Sequence, residues 1–160
     1  MMTTADLQPL QREVIQRHQR EAPIKLGALA TELGVTVLRS DLPPGISGTL
    51  SRNAPNSDMW TIRVNRHEPK VRQRFTIAHE LAHFLLHRDQ IKDGITDDTF
   101  YRSGLSERRE WEANRLAAEI LMPWHLVRAL VNEGKVNPKD LASALEVSEA
   151  AMNIRLGNPT

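Results

Sequence analysis

Apolar residues recur at helical spacing in the first part of the chain, at Leu7, Leu10, Val14 and Ile15, which predicts a helix over Leu7 to Gln19 with Pro23 as its stop. A second short helix is predicted from Leu26 to Leu33, closed by Gly34. The period then changes. Val35 to Leu38, Ser47 to Ser51 and Trp60 to Asn65 read as strands, separated by the turn-rich stretches Asp41 to Gly45 and Arg52 to Asp58. From there the pattern is helical again. A long helix is predicted over Val71 to His87 behind Pro69, then a polar loop over Arg88 to Gly104. A second long helix runs from an N-cap at Ser106 to Met122, stopped by Pro123. Leu126 to Asn132, ended by Gly134, is a third, and Asn137 with Pro138 opens another. The fold class expected is α+β, a small, mostly antiparallel sheet packed on a long helix, with a helical C-terminal part.

Length and composition narrow the picture only modestly. A chain of 160 residues, 40% apolar and 26% charged, fits one soluble domain or one domain with a small appendage. The absence of cysteine excludes disulfides, thiolate zinc sites and a cysteine nucleophile. A net charge of +1 gives no general pull toward nucleic acid or an anionic membrane. The N-terminal stretch lacks the apolar core of a signal peptide, and no apolar run is long enough to span a bilayer. A cytoplasmic protein is therefore expected.

The chemistry lies in His79-Glu80-Leu81-Ala82-His83, an H-E-x-x-H pattern. Residues four apart on a helix lie almost one above the other, so the two imidazoles can share a tetrahedral zinc, Zn2+. Glu80, a quarter-turn away, can reach a water on that metal and take its proton. Chance alone produces the pattern in on the order of one chain in a hundred, so further ligands must be found. Six residues beyond His83 stands Asp89, where a third histidine is absent. The next helix offers Glu110, Glu112 and Glu119. Its apolar side is formed by Ala113, Leu116, Ala117, Ile120 and Leu121, and Glu110 projects close to its centre. Glu112 and Glu119 fall outside its edge, where solvated ion pairs are the simpler expectation. Glu110 is preferred as third ligand, with Glu112 as the alternative, and Asn114 one turn on can hydrogen-bond to the ligands.

The segment Arg72 to His87, containing R-x-R-F-T-x-A-H-E-x-x-H, resembles the ImmA/IrrE family of metallopeptidases. Gly45-Ile46-Ser47-Gly48, the strand ending Ile62-Arg63-Val64-Asn65, and Glu110-Trp111-Glu112-Ala113-Asn114 leading to Met122-Pro123 agree in order. The similarity covers roughly Leu26 to Arg155. Ala82 stands where glycine is more usual. The resemblance implies a zincin-like fold and zinc held by His79, His83 and a glutamate of the second helix, its E-x-x-x-N pattern falling on Glu110 and Asn114. It also implies a protein substrate, a helix-turn-helix (Xre-type) repressor whose cleavage releases stress, phage or mobile-element genes.

Other residues are weighed and mostly set aside. His87 continues the ladder of His79 and His83 but is expected near the surface. Tyr101 sits between the metal-bearing helices, where it could donate to an oxyanion, although loop tyrosines are more often simply packed. His67 is expected to order the loop before the long helix, and Trp60, Trp111 and Trp124 to be core or groove-lining residues. The expected organisation is a metallopeptidase domain over residues 1–125 and a helical, helix-turn-helix-like element over 126–160 packed on it. Leu141, Leu145, Val147 and Met152 would form that element's core, with Ser148 capping its second helix. Glu149, Asn153 and Arg155 make a thin DNA-reading surface, so a packed accessory or partner-docking role is preferred to DNA binding. Two function classes follow: an endopeptidase, or a non-proteolytic, toxin-like zinc-binding partner of a Xre-type regulator. An intact Glu80 favours the enzyme, because a structural zinc site needs no base.

Overall fold

The computed structural model describes residues 7–158. Two short helices, α1 (Pro9–Arg17) and α2 (Leu26–Glu32), lead into the strands β1 (Val35–Ser40), β2 (Ile46–Arg52) and β3 (Trp60–Asn65). The long helix α3 (Lys70–His87) follows, then a 3-10 turn (Arg88–Gln90) and a fourth strand, β4 (Gly94–Asp98). Four helices complete the chain: α4 (Glu107–Leu121), α5 (Trp124–Asn132), α6 (Pro138–Leu145) and α7 (Glu149–Leu156). The sheet order is β1-β3-β2-β4, with β1 parallel to β3 and the other two pairings antiparallel. No helix among the described residues is long and apolar enough to cross a membrane.

Strand β4 lies inside the stretch read from sequence as a polar loop. Its only buried residue is Asp97, beside the half-buried Ile95, so it shows no apolar alternation. Pairing to β2 defines it. The register jumps between Ile46↔Asp98 and Gly48↔Asp97, so Ser47 is an extra residue that bulges β2. Ser47 is fully buried, and its hydroxyl donates to Glu68 at 3.0 Å.

The core sits between the sheet and α3, and between α3 and α4. Leu50, Trp60, Ile62 and Val64 from the sheet meet Ile77, Ala78, Leu81 and Phe84 of α3, with Trp60 edge-on to Phe84 at 6.1 Å. The whole apolar side expected of α4 is buried against them. Ser106, Asn137 and Ser148 each accept the backbone N–H three residues on, capping α4, α6 and α7 as their sequences predict. Leu141, Leu145, Val147 and Met152 join the same buried cluster as the N-terminal part. The Arg74 guanidinium ties α3 to this C-terminal region through the Glu146 carbonyl at 3.1 Å, and to the segment before α2 through the Ile24 carbonyl at 2.9 Å.

Helix α3 approaches β2 closely enough that only glycine fits at position 48. A Cβ built there would lie 2.5 Å from Thr76 Cγ2, 3.1 Å from the Arg63 carbonyl oxygen and 3.3 Å from Glu80 Oε2. Gly48→Ala must therefore push the helix or the strand away. It is expected to cost about 1–3 kcal/mol, the usual range for overpacking, measured by denaturant unfolding of metal-free protein. An unchanged unfolding midpoint would show that the helix has room to give.

Candidate metal centre

Helix periodicity puts His79 and His83 on one face of α3, with ring centroids 4.6 Å apart. Two carboxylates from other elements meet them. Asp97 Oδ1 of β4 is 3.3 Å from His79 Nε2, and Glu110 Oε1 of α4 is 2.7 Å from His83 Nε2 and 3.6 Å from His79 Nε2. One ligand atom from each of these four residues lies within 4.8 Å of the others, and all four are buried. Two imidazole nitrogens and two carboxylate oxygens are a donor set suited to zinc. The residues present fit a metal.

Each donor is oriented by a further partner. The Asn114 side-chain oxygen lies 2.9 Å from His79 Nδ1, so the ring donates there and turns Nε2 toward the cluster. Ser103 grips Glu110 Oε2 with its backbone N–H at 2.7 Å and its hydroxyl at 2.6 Å, leaving Oε1 facing the histidines. His83 Nδ1 lies 2.9 Å from His87 Nδ1, and His87 Nε2 lies 2.9 Å from Glu112 Oε1.

Glu80 is fully buried against β2 with the Asp97 carboxylate as its neighbour, and no N–H or O–H of another described residue donates to either of its oxygens. Burial pushes its pKa well above the ordinary carboxylate range, and the charges of Asp97 and Glu110 push in the same direction. For His79, burial disfavours the charge, but hydrogen bonds and charges from Asp97 and Glu110 outweigh it and lift the pKa to about 9. Burial wins for His83, whose pKa is lowered. Glu110 is held below the usual range: burial works against this, but hydrogen bonds from His79, His83 and Ser103 prevail.

Several residues stand differently from their sequence expectations. His87 is buried, not near the surface, because Glu112 and His83 satisfy both ring nitrogens. Glu112 is buried with it, contrary to the solvated position expected, with the Arg108 guanidinium at 3.8 Å. Glu119 is half-buried and pairs with Arg115 at 3.5 Å. The Tyr101 ring lies over His79 at 4.9 Å between centroids, and its hydroxyl is 3.2 Å from that of Thr76. Its backbone is left-handed, φ 57°, a strained position often found at sites of function. His67 pairs with Asp41 at 2.7 Å and lies away from the cluster. Trp60 is buried, whereas Trp111 and Trp124 are partly exposed under the guanidinium groups of Arg115 and Arg155. Asp97 and Ser103 escaped the sequence reading altogether. Their only cue was position, in the connection between the two helices that carry the other donors.

The sequence pattern of peptidase family M78, described as the IrrE N-terminal-like domain, matches residues 30–157. No curated protein matches the chain. Among solved structures, a Mycobacterium tuberculosis transcriptional regulator is similar with a TM-score of 0.62 and 21% identity, over 92% of this chain and 45% of that one. This chain thus spans less than half the length of that regulator, and at such identity the likeness is one of fold. The pattern match covers most of the sequence and includes all four converging donors, so the chain belongs to the M78 peptidases, the IrrE N-terminal-like domain family of metallopeptidase type.

Proposed function

We propose that the protein is a zinc-dependent endopeptidase whose substrate is a helix-turn-helix repressor of the Xre type, with His79, His83 and Glu110 as metal ligands and Glu80 as base. The observation that carries this reading is Glu80, fully buried beside the donors, with no described N–H or O–H donating to either oxygen and the Asp97 carboxylate within hydrogen-bond reach. A carboxylate so placed is costly unless it has work to do with a proton. Zinc held by the three ligands would polarise a peptide carbonyl and bring the pKa of a water toward neutrality. Glu80, buried beside the donors, would accept the proton of the attacking water as a carboxylate and return it to the departing amine nitrogen. The anchoring of Glu110 by Ser103 supports Glu110 over Glu112 as third ligand, since Glu112 is engaged by His87.

The resemblance to a regulator of transcription supports a role in gene control, and cleavage of a repressor inside the cytoplasm is the form proposed here. Residues 1–125 would carry the chemistry and the 126–160 element would dock the partner. DNA reading by that element is disfavoured, because Arg155 is turned onto the Trp124 ring and the Met122 carbonyl.

A second reading draws on Asp97. Should Asp97 take the fourth metal position, the site would be closed by protein ligands, as in structural zinc sites, and would serve a non-proteolytic, toxin-like or regulatory partner of a Xre-type regulator. Glu80→Gln separates the two. It keeps shape and metal but removes the base, which typically costs about a hundredfold to ten-thousandfold in rate. Zinc-loaded native protein, incubated with a helix-turn-helix regulator encoded beside it, is expected to yield fragments by mass spectrometry, and the variant to bind zinc yet yield none. Derepression of target genes by Glu80→Gln as strong as by the native protein would hand the lead to the second reading.

Metal affinity tests the ligand assignment. Glu110→Gln is expected to weaken zinc binding strongly in a chelator competition, whereas Asp97→Asn should change it by less than about tenfold. The reverse ranking would make Asp97 the third ligand. Affinity should also depend on pH with a definite sign. Metal binding needs a neutral His79, and the metal-free ring stays protonated up to about pH 9. Below that value zinc must displace the proton, so affinity rises by about tenfold per pH unit from pH 7 toward 9. Flat affinity over that interval would contradict the charge state assigned to His79.

A further inference from the structure

Beyond the donors lies a line of side chains that the ligand set does not use. His83 Nε2 is 2.7 Å from Glu110 Oε1, His83 Nδ1 is 2.9 Å from His87 Nδ1, and His87 Nε2 is 2.9 Å from Glu112 Oε1. Two imidazoles thus stand in line between two carboxylates, joined by three contacts of hydrogen-bond length. Carboxylates accept, so each contact needs one N–H, yet two neutral imidazoles bring only two. A metal at the His83–Glu110 contact removes the shortage, because a lone pair and not a proton is then required at His83 Nε2. The two remaining protons have one arrangement. His87 Nε2–H donates to Glu112, and His83 Nδ1–H donates to the vacant lone pair of His87 Nδ1.

We propose that His87 and Glu112 form a directional relay that fixes the proton of His83 on Nδ1 and thereby holds its Nε2 lone pair on the metal. The inference rests on the metal-site reading above and extends it to two residues outside the ligand set. His79 receives the same service from the single amide oxygen of Asn114. The two ligands on α3 are therefore oriented by different means: an amide for one, a carboxylate acting through a second ring for the other. A carboxylate at the far end makes the intervening imidazole a better acceptor and His83 a more basic ligand, as in the carboxylate–histidine–metal arrangements of other metal sites. His87 and Glu112 are positioning residues, which act on the metal through His83.

A buried ion pair that merely fastens α3 to α4 is the rival explanation, and stability and affinity tell the two apart. The double variant His87→Leu with Glu112→Leu removes both polar groups together, a change that buried ion pairs often tolerate without loss of stability. It is expected to unfold near the native temperature in metal-free form while its zinc dissociation constant, from competition with a chelator, rises by about tenfold to a hundredfold. Glu112→Gln still offers an acceptor, but a weaker one than a carboxylate, and should lose affinity by about tenfold. Nitrogen-15 spectra of the zinc-loaded native protein are expected to show His87 neutral with its proton on Nε2. That measurement decides the matter should the double variant fail to fold. Zinc binding by the folded double variant as tight as the native protein's overturns the relay, and so does a His87 proton found on Nδ1. Failure of the native protein itself to bind zinc overturns the metal-site reading, and the relay with it.

Discussion

Two imidazoles and three carboxylates are buried together between α3, α4 and β4, and this concentration of ionisable groups governs the rest of the molecule. Taking a single ion out of water costs about several kcal/mol even after the protein relaxes, so such a cluster persists only where something repays it. Part of the repayment is visible in the partners of His79, His83 and Glu110. Glu80 and one oxygen of Asp97 are reached by no N–H or O–H donor of another described residue. A divalent cation among these groups would balance much of the negative charge at once, which is why the metal belongs to the folding problem as much as to the chemistry.

The surrounding structure reads as a set of supports for that cluster. The bulge at Ser47 lets β2 and β4 bring Gly48 and Asp97 into register, one making room for Glu80 and the other joining the donors. The loop after β4 serves two residues in turn, setting Tyr101 over His79 and Ser103 onto Glu110. Arg72 secures that loop from α3, with its guanidinium over the Tyr101 ring at 4.9 Å and a hydrogen bond to the Thr99 carbonyl. The first arginine and the threonine of the R-x-R-F-T stretch thus hold the roof of the site, and its second arginine anchors the C-terminal helices.

What could be read from the sequence was whatever repeats within one element. His79, Glu80 and His83 share a helix, and the wheel of α4 turns Glu110 inward with Asn114 one turn later, so spacing within each helix was enough to single these residues out. The three strands of strong β character were legible for the same reason. Asp97, Ser103, Glu112 and β4 were not. Strand β4 carries a single half-buried apolar side chain, leaving no alternation to detect. Glu112 and His87 are 25 residues apart and each is polar, so each by itself points to solvent; only their mutual satisfaction makes burial affordable.

Every group just named on α3 depends on the angle at which it leaves one cylinder. Arg72 reaches the loop, Arg74 the C-terminal helices, Thr76 the tyrosine, His79 and His83 the donors, Glu80 the strand side and His87 the next helix. Successive residues are separated by about 100° around the axis, so inserting or deleting one residue would swing everything beyond it by that angle. No part of the set could be kept in phase while another was shifted. The helix therefore changes by substitution within a fixed length or not at all, while the loops on either side remain free to grow.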